Sequence, residues 1–207
     1  MEEFDSLEQV IPFLTREDLE NLAISSLVKV KQQNKQLIEK ENASLFDEQT
    51  GLYNDRYFLT KLMPKLKKHV VRDRRSVSKT TVFGFIDVDE TDRFNREFGH
   101  DGCDTIIEII AEVFRNETRG TGDIVGRRYG QGDEFYVLLN IDSKEGIDIH
   151  RAIESFVDRC RQQVQLAFDG YVNFSSGFTI VCKCKSAKDV IKEADSKMFI
   201  DKETHKE

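Results

Sequence analysis

Val82-Phe83-Gly84-Phe85-Ile86 is an unbroken apolar run closed by Asp87-Val88-Asp89. A short run of this kind with polar residues on either side reads as a strand buried in the middle of a sheet, ending at Asp87. The segment after it has a different period. Ile106, Ile107, Ile110, Val113 and Phe114 recur at helical spacing, and Gly120-Thr121-Gly122 closes that stretch. Strands are predicted over about residues 124–129 and 135–141, joined as a hairpin through Gly130-Gln131-Gly132. A helix over about residues 147–168 carries Ile149, Ile153, Phe156, Val157, Cys160 and Val164 on one face and ends at Asp169-Gly170. Another strand is predicted over about residues 171–182. A last helix begins after Ser186, with Asp189 as its capping partner.

The order is βαββαβ plus a final helix. That is an α/β (α+β) chain of ferredoxin-like, palm-type architecture, a central antiparallel sheet with helices on one face, preceded by N-terminal helices. Pro64 interrupts a segment that otherwise reads as helical, which predicts a helix end or kink there. Residues 1–45 form a separate helical stalk segment in this reading, and residues 46–207 form the domain. Thr15-Arg16-Glu17-Asp18 is a capping box. Leu27, Val30, Asn34, Leu37, Glu41 and Ser44 then place a mixed seam on a helix from about residue 26 to 45. A coiled-coil stalk and a single amphipathic helix packed on its own domain both satisfy that seam.

Composition narrows the function. With 33% charged residues and a net charge of −7, the chain does not suit broad nucleic-acid binding, and small partners are expected. No apolar stretch reaches membrane-spanning length, and the acidic opening Met1-Glu2-Glu3 is not that of a secretory signal, so a cytoplasmic protein is expected. Cys103, Cys160, Cys182 and Cys184 include no CxxC pair and are expected as reduced thiols.

The acids are the candidate chemistry. Nucleotidyl transfer needs divalent cations on the phosphates and a group that makes a ribose 3′-hydroxyl nucleophilic; carboxylates serve both ends. Asp87 and Asp89 close the central strand and share a face, because strand side chains alternate. Asp133 and Glu134 sit past the neighbouring hairpin turn and need not share a face unless the turn twists them. Gly130 and Gly132, lacking Cβ, permit positive φ and close approach to a phosphate. An ordinary glycine hairpin with solvated acids has the same local sequence.

Longer blocks resemble the GGDEF family of diguanylate cyclases, over roughly residues 46 to 206. Asp47-Glu48-Gln49-Thr50-Gly51-Leu52-Tyr53-Asn54-Asp55-Arg56 resembles DxLTGLxNRR, departing at Gln49 and Asp55. Asp87-Val88-Asp89 with Asn95, Gly99, His100 and Asp104 resembles DxDxFKxxNDxxGHxxGD. Arg128-Tyr129-Gly130-Gln131-Gly132-Asp133-Glu134-Phe135 resembles RxGGDEF, Ser175-Ser176-Gly177 the following SxG, and Ala194-Asp195 through Lys202 to Lys206 the closing ADxALYxAKxxGR. Blocks in this order at compatible spacing are far more specific than any one of them.

The resemblance implies a diguanylate cyclase that condenses two GTP into cyclic di-GMP with Mg²⁺ or Mn²⁺, as a homodimer holding one GTP per subunit. It implies metal ligation by Asp87, the Val88 carbonyl, Asp133 and Glu134, with Asp133 also activating the 3′-hydroxyl and Glu134 counted with it in catalysis. Gly132 is expected beside phosphate, Lys202 and Lys206 on the triphosphate, and Asn95 and Asp104 on the guanine edge. Gln131 enlarges or replaces part of the hairpin tip. Thr91-Asp92 stands in place of Phe-Lys, Arg96 of Asp and Cys103 of Gly, while His205 and Lys206 replace Gly and Arg. Arg119 and Asp123 are not spaced as the family's RxxD product-inhibition site. These departures keep open a weakened GGDEF domain that binds GTP or cyclic di-GMP as a signalling module, and, less favoured, a cyclase of mixed product.

Overall fold

A computed structural model describes residues 15–71, 79–118, 122–128, 132–142, 148–182 and 184–205. Gly130, Gln131, Arg119 and Lys206 lie outside the described residues. The chain divides into two units, Met1–Ser44 and Leu45–Glu207. In the first, α1 runs unbroken over Arg16–Ala43, a single helix where the sequence suggested successive stretches. Its capping box forms: the Thr15 N–H and hydroxyl reach Asp18 Oδ2 at 2.9 and 2.6 Å, and the Asp18 N–H reaches Thr15 Oγ1 at 3.2 Å. Leu19, Leu22, Leu27 and Leu37 on this helix are exposed.

The second unit opens with α2 (Asp55–Tyr57), which passes through a π-helical segment, Phe58–Leu62, into α3 (Met63–Val71). The π turn lies just before Pro64, and its Met63 N–H reaches the Phe58 carbonyl. A widened turn there accommodates a residue that supplies no N–H, so the helix continues through Pro64 instead of ending. There follow β1 (Lys79–Val88), α4 (Thr91–Glu117), β2 (Ile124–Arg127), β3 (Glu134–Asp142), α5 (Ile149–Phe168), β4 (Phe174–Ile180) and α6 (Ala187–Thr204). The strands form one four-stranded sheet in the order β2-β3-β1-β4, antiparallel at each of its pairings. The βαββαβ reading and its ferredoxin-like sheet therefore hold.

Helices cover both faces of the sheet, not one face as expected. Val82, Ile86 and Val88 of β1 pack with Ile106, Ile110 and Phe114 of α4 and with Phe156 and Val164 of α5. Phe83 and Phe85 turn the other way, toward Phe58, Leu62 and Leu66 and toward Val190, Ala194 and Met198 of α6. Burial on both faces explains why β1 is continuously apolar rather than alternating.

The cysteines also depart from expectation. Cys182 and Cys184 are joined in a disulfide with Cα atoms 5.4 Å apart, whereas Cys103 and Cys160 are buried free thiols. A CxC spacing is not the CxxC pattern, yet this separation lies within disulfide reach.

The start of α6 matters to the site because that helix carries Lys202. Ser186 Oγ accepts from the Asp189 N–H at 3.2 Å while the Ser186 N–H donates to Asp189 Oδ2 at 3.0 Å, the capping box expected from the sequence. Ser186→Ala is expected to lower stability by about 1 kcal/mol, and so to lower the melting temperature by roughly 2–4 °C. A thermal melt that matches the parent would show that the cap contributes nothing.

Candidate active site

Strand alternation decides where the acids point. Asp87 follows Phe83 and Phe85 on the α6 side of β1, and the β1–β3 register sets it directly opposite Glu134. Side chains opposite each other on one face of an antiparallel pair have Cβ atoms about 4.5–5.5 Å apart. Asp133 is one residue earlier and leans the other way: its carboxylate accepts a hydrogen bond from Thr91 Oγ1 at the start of α4. Its backbone stays beside β1, since the Val88 N–H donates to the Asp133 carbonyl at 3.1 Å. The beginning of α4 and the end of α6 thus bracket the strand ends that carry the acids.

Lys202, from the last turn of α6, forms an ion pair with Asp87 Oδ1. Burial pushes the Asp87 carboxyl up to about 6, helped by the negative charges of Asp133 and Glu134 and opposed by Lys202. Glu134 is also raised, first by burial, although Arg128 opposes this with Nη1 3.3 Å from Glu134 Oε2. Burial pulls the Lys202 ammonium down, but its hydrogen bond to Asp87 and the fields of Asp87, Asp133 and Asp89 carry it above its ordinary value. The direction at both partners expresses one fact: the carboxylates here are poorly solvated and outweigh the cation beside them.

Asp89 shares the face of Asp87, as the alternation predicts, but it is already engaged. Ser175 Oγ donates to Asp89 Oδ1 at 2.6 Å, and His205 Nδ1 lies 3.2 Å from Asp89 Oδ2 and 3.1 Å from Ser175 Oγ. Asp87, Glu134, Asp195, Phe199 and Lys202 line an open pocket. Among the described residues no group of three or more His, Cys, Asp or Glu side chains stands together in metal-holding geometry.

Asn95 and Asp104 both lie on α4, on opposite sides of a break at Gly99, where φ is +71° and ψ is 179°. An L residue meets steric cost at such a φ, so glycine locates the break. The break sets the half-buried Asn95 at an angle to the segment bearing Asp104, which one straight helix could not do. The Asp104 carboxylate is exposed, and its backbone carbonyl accepts from Gln49 Nε2 at 3.2 Å. The Gly132 carbonyl accepts from Arg127 Nε at 2.9 Å. Asp92 is exposed in the first turn of α4.

Sequence reasoning did not assign a role to Thr91, Arg127, Ser175 or His205. Thr91 and His205 were visible only as departures from a pattern, and Ser175 only as part of SxG. The buried Arg127, 2% exposed and held by Asp47 at 3.3 Å, had no local signal because its partner lies far away in the chain.

Residues 44–207 match the family described as diguanylate cyclase, GGDEF domain. Diguanylate cyclase A of Treponema denticola is 28% identical over 192 residues, covering 89% of this chain and 47% of that protein. Probable diguanylate cyclase DgcJ of Escherichia coli is 27% identical over 183 residues, covering 88% of this chain and 34% of that protein. The chain therefore spans less than half the length of these curated relatives. Among solved structures, the coiled coil and GGDEF domain of DgcB from Caulobacter crescentus, in complex with c-di-GMP, superposes with a TM-score of 0.72 at 19% identity. It covers 90% of this chain and 95% of that one, a likeness of fold.

Proposed function

The chain belongs to the GGDEF family, and on that premise we propose that it is a diguanylate cyclase that condenses two GTP into cyclic di-GMP and two pyrophosphates. The observation that carries this reading is the facing pair Asp87 and Glu134 at paired strand ends, with Asp133 beside them and Lys202 reaching in from α6. The donor set fits Mg²⁺ or Mn²⁺. These ions take hard oxygen ligands, and a buried carboxyl raised to about 6 gains from a cation that offsets its lost hydration. Asp87, Asp133, Glu134 and the Val88 carbonyl would hold the metal. A divalent cation there neutralises phosphate charge and eases ionisation of the 3′-hydroxyl.

The chain's own groups supply the rest. Lys202 and Lys206 hold the triphosphate as cations, and Lys202 exchanges its contact with Asp87 for phosphate oxygens. Gly132 contributes a backbone without Cβ beside the phosphates. Asp133 takes the 3′-hydroxyl proton together with its share of the metal, while Glu134 completes the carboxylate set. Asn95 and the exposed Asp104 read guanine, since an amide and a carboxylate complement O6, N1–H and N2–H. Each 3′-hydroxyl must attack the α-phosphate of the other GTP, so two subunits meet face to face with one GTP each. The exposed leucines of α1 supply an apolar seam for that homodimer, and residues 1–45 act as its signalling stalk. Among the described residues no helix is long and apolar enough to cross a membrane. We place the reaction in the cytoplasm, with GTP and not nucleic acid as the partner.

A second reading is favoured by a specific contact: Asp133 is tied to Thr91, and Asp92 replaces a lysine near the triphosphate. A domain so modified would bind GTP or cyclic di-GMP and signal through α1 with little turnover. Purified protein incubated with GTP and Mg²⁺ or Mn²⁺ separates the two. Cyclic di-GMP with pyrophosphate release is the expected result. Nucleotide binding by calorimetry without any cyclic dinucleotide, under dimer-promoting conditions, would replace the first reading by the second.

A further inference from the structure

Gln49 stands where the resembled motif has leucine, and both ends of its amide are used. Nε2 donates to the backbone carbonyl of Asp104 at 3.2 Å, and Oε1 accepts from Arg127 Nη1 at 2.5 Å. Arg127 in turn donates through Nε to the carbonyl of Gly132, one residue before Asp133. An amide can accept from a guanidinium and donate to a carbonyl at the same time. A carboxylate can only accept, and leucine does neither.

We propose that Gln49 is a positioning and specificity-determining residue, joining the α4 segment that bears Asp104 to Arg127 and through it to the Gly132-Asp133 turn. The inference rests on the reading that Asp104 contacts guanine. Through this bridge the base-reading carboxylate and the acids at the strand ends keep a fixed spacing, so a nucleotide seated on one end is registered on the other. The bridge is separable from the fold. Arg115, eleven positions after Asp104 and so on the same face of α4, donates to the Thr50 carbonyl. Asp47 independently holds Arg127. With Gln49 altered, the opening turn stays attached to α4 and to β2 through those contacts, and what is lost is the tether at Asp104.

The test compares affinities for non-hydrolysable analogues of GTP and ITP, measured by calorimetry on the full chain, so it stands whether or not the domain turns GTP over. ITP lacks the 2-amino group that a carboxylate at Asp104 would pair with. The parent is expected to prefer the GTP analogue. Gln49→Glu keeps the acceptor for Arg127 but sets a carboxylate oxygen against the Asp104 carbonyl, and Gln49→Leu removes both contacts. Each is expected to reduce the GTP-over-ITP preference by roughly 3- to 10-fold, the size of one lost hydrogen bond. Melting temperatures should stay within a few degrees of the parent. Variants that keep the parental preference, with only general weakening or lowered melting, overturn the inference and leave the guanine reading intact. A parent that does not distinguish the two analogues overturns the guanine reading of Asp104, and the inference with it.

Discussion

Asp87→Asn is expected to lower Mg²⁺- or Mn²⁺-dependent product formation from GTP by roughly 10³-fold, or about 4 kcal/mol of transition-state stabilisation. Asparagine keeps the shape at the end of β1 but brings no charge to a cation shared with Glu134 and Asp133. The folding effect should run the other way. Asp87 is 7% exposed, and its carboxyl rises from an ordinary 3.8 to about 6 because burial, Asp133 and Glu134 disfavour its charge more than Lys202 favours it. The folded state therefore holds that proton more tightly than the unfolded state. Stability associated with Asp87 is fully present below about pH 4, is lost as pH rises through 6, and does not return at higher pH. Above pH 6 the variant should melt no lower than the parent, because Lys202, about one-third exposed, keeps access to water. At pH 7.5, Mn²⁺ should raise the melting temperature of the parent and leave the variant unchanged, and at pH 4.5 the parent's gain should shrink. A variant with near-parental turnover would remove Asp87 from the proposed metal site.

How far this could be read in advance depended on distance along the chain. Val82 to Ile86 announced a buried strand, and two-residue alternation put Asp87 and Asp89 on one face. Lys202 and His205, both from the end of α6, meet them on that face. The capping boxes at Thr15 and Ser186 were legible because each partner lies three residues from the other. Non-local facts were not legible. That Glu134 faces Asp87 while Asp133 turns to Thr91 depends on hairpin register and on where α4 begins, and neither is encoded near Gly132. The unbroken apolar run of β1 already required that both its faces be covered, but that α6 and the π-to-α segment cover the second one depended on packing far along the chain.

The departures at Gln49, Thr91 and His205 looked like losses from a motif, and each has a partner in the fold. Gln49 bridges Arg127 and Asp104, Thr91 holds Asp133, and His205 meets Asp89 and Ser175. A polar residue in place of an apolar or small one requires a compensating contact when it is part-buried. That requirement tells where to look, but the partner itself is a property of the folded chain.

Gly177→Ala is expected to be the most disruptive single methyl group in the domain. A Cβ built there would stand 2.2 Å from the Ala194 carbonyl oxygen and 2.2 Å from the Met198 nitrogen, both backbone atoms of α6. Side-chain rotation cannot relieve such contacts, so the helix must lift from β4. Overpacking a close interface costs about 1–3 kcal/mol, and the upper end applies where backbone must move. A fall of roughly 6–12 °C in melting temperature is the corresponding result. The same displacement carries Lys202 away from Asp87, and with it the Asp201 carboxylate that accepts from the Ser176 N–H at 2.8 Å. Nucleotide affinity should therefore fall even at temperatures where the variant is fully folded. Gly84→Ala provides the contrast: the three atoms nearest its Cβ, at 2.3 to 2.9 Å, all belong to the Phe178 ring, on the sheet face opposite α6. That variant should lose stability while keeping affinity in the folded protein. Equal affinity losses in the two variants would show that the close packing of α6 on β4 does not set the position of Lys202.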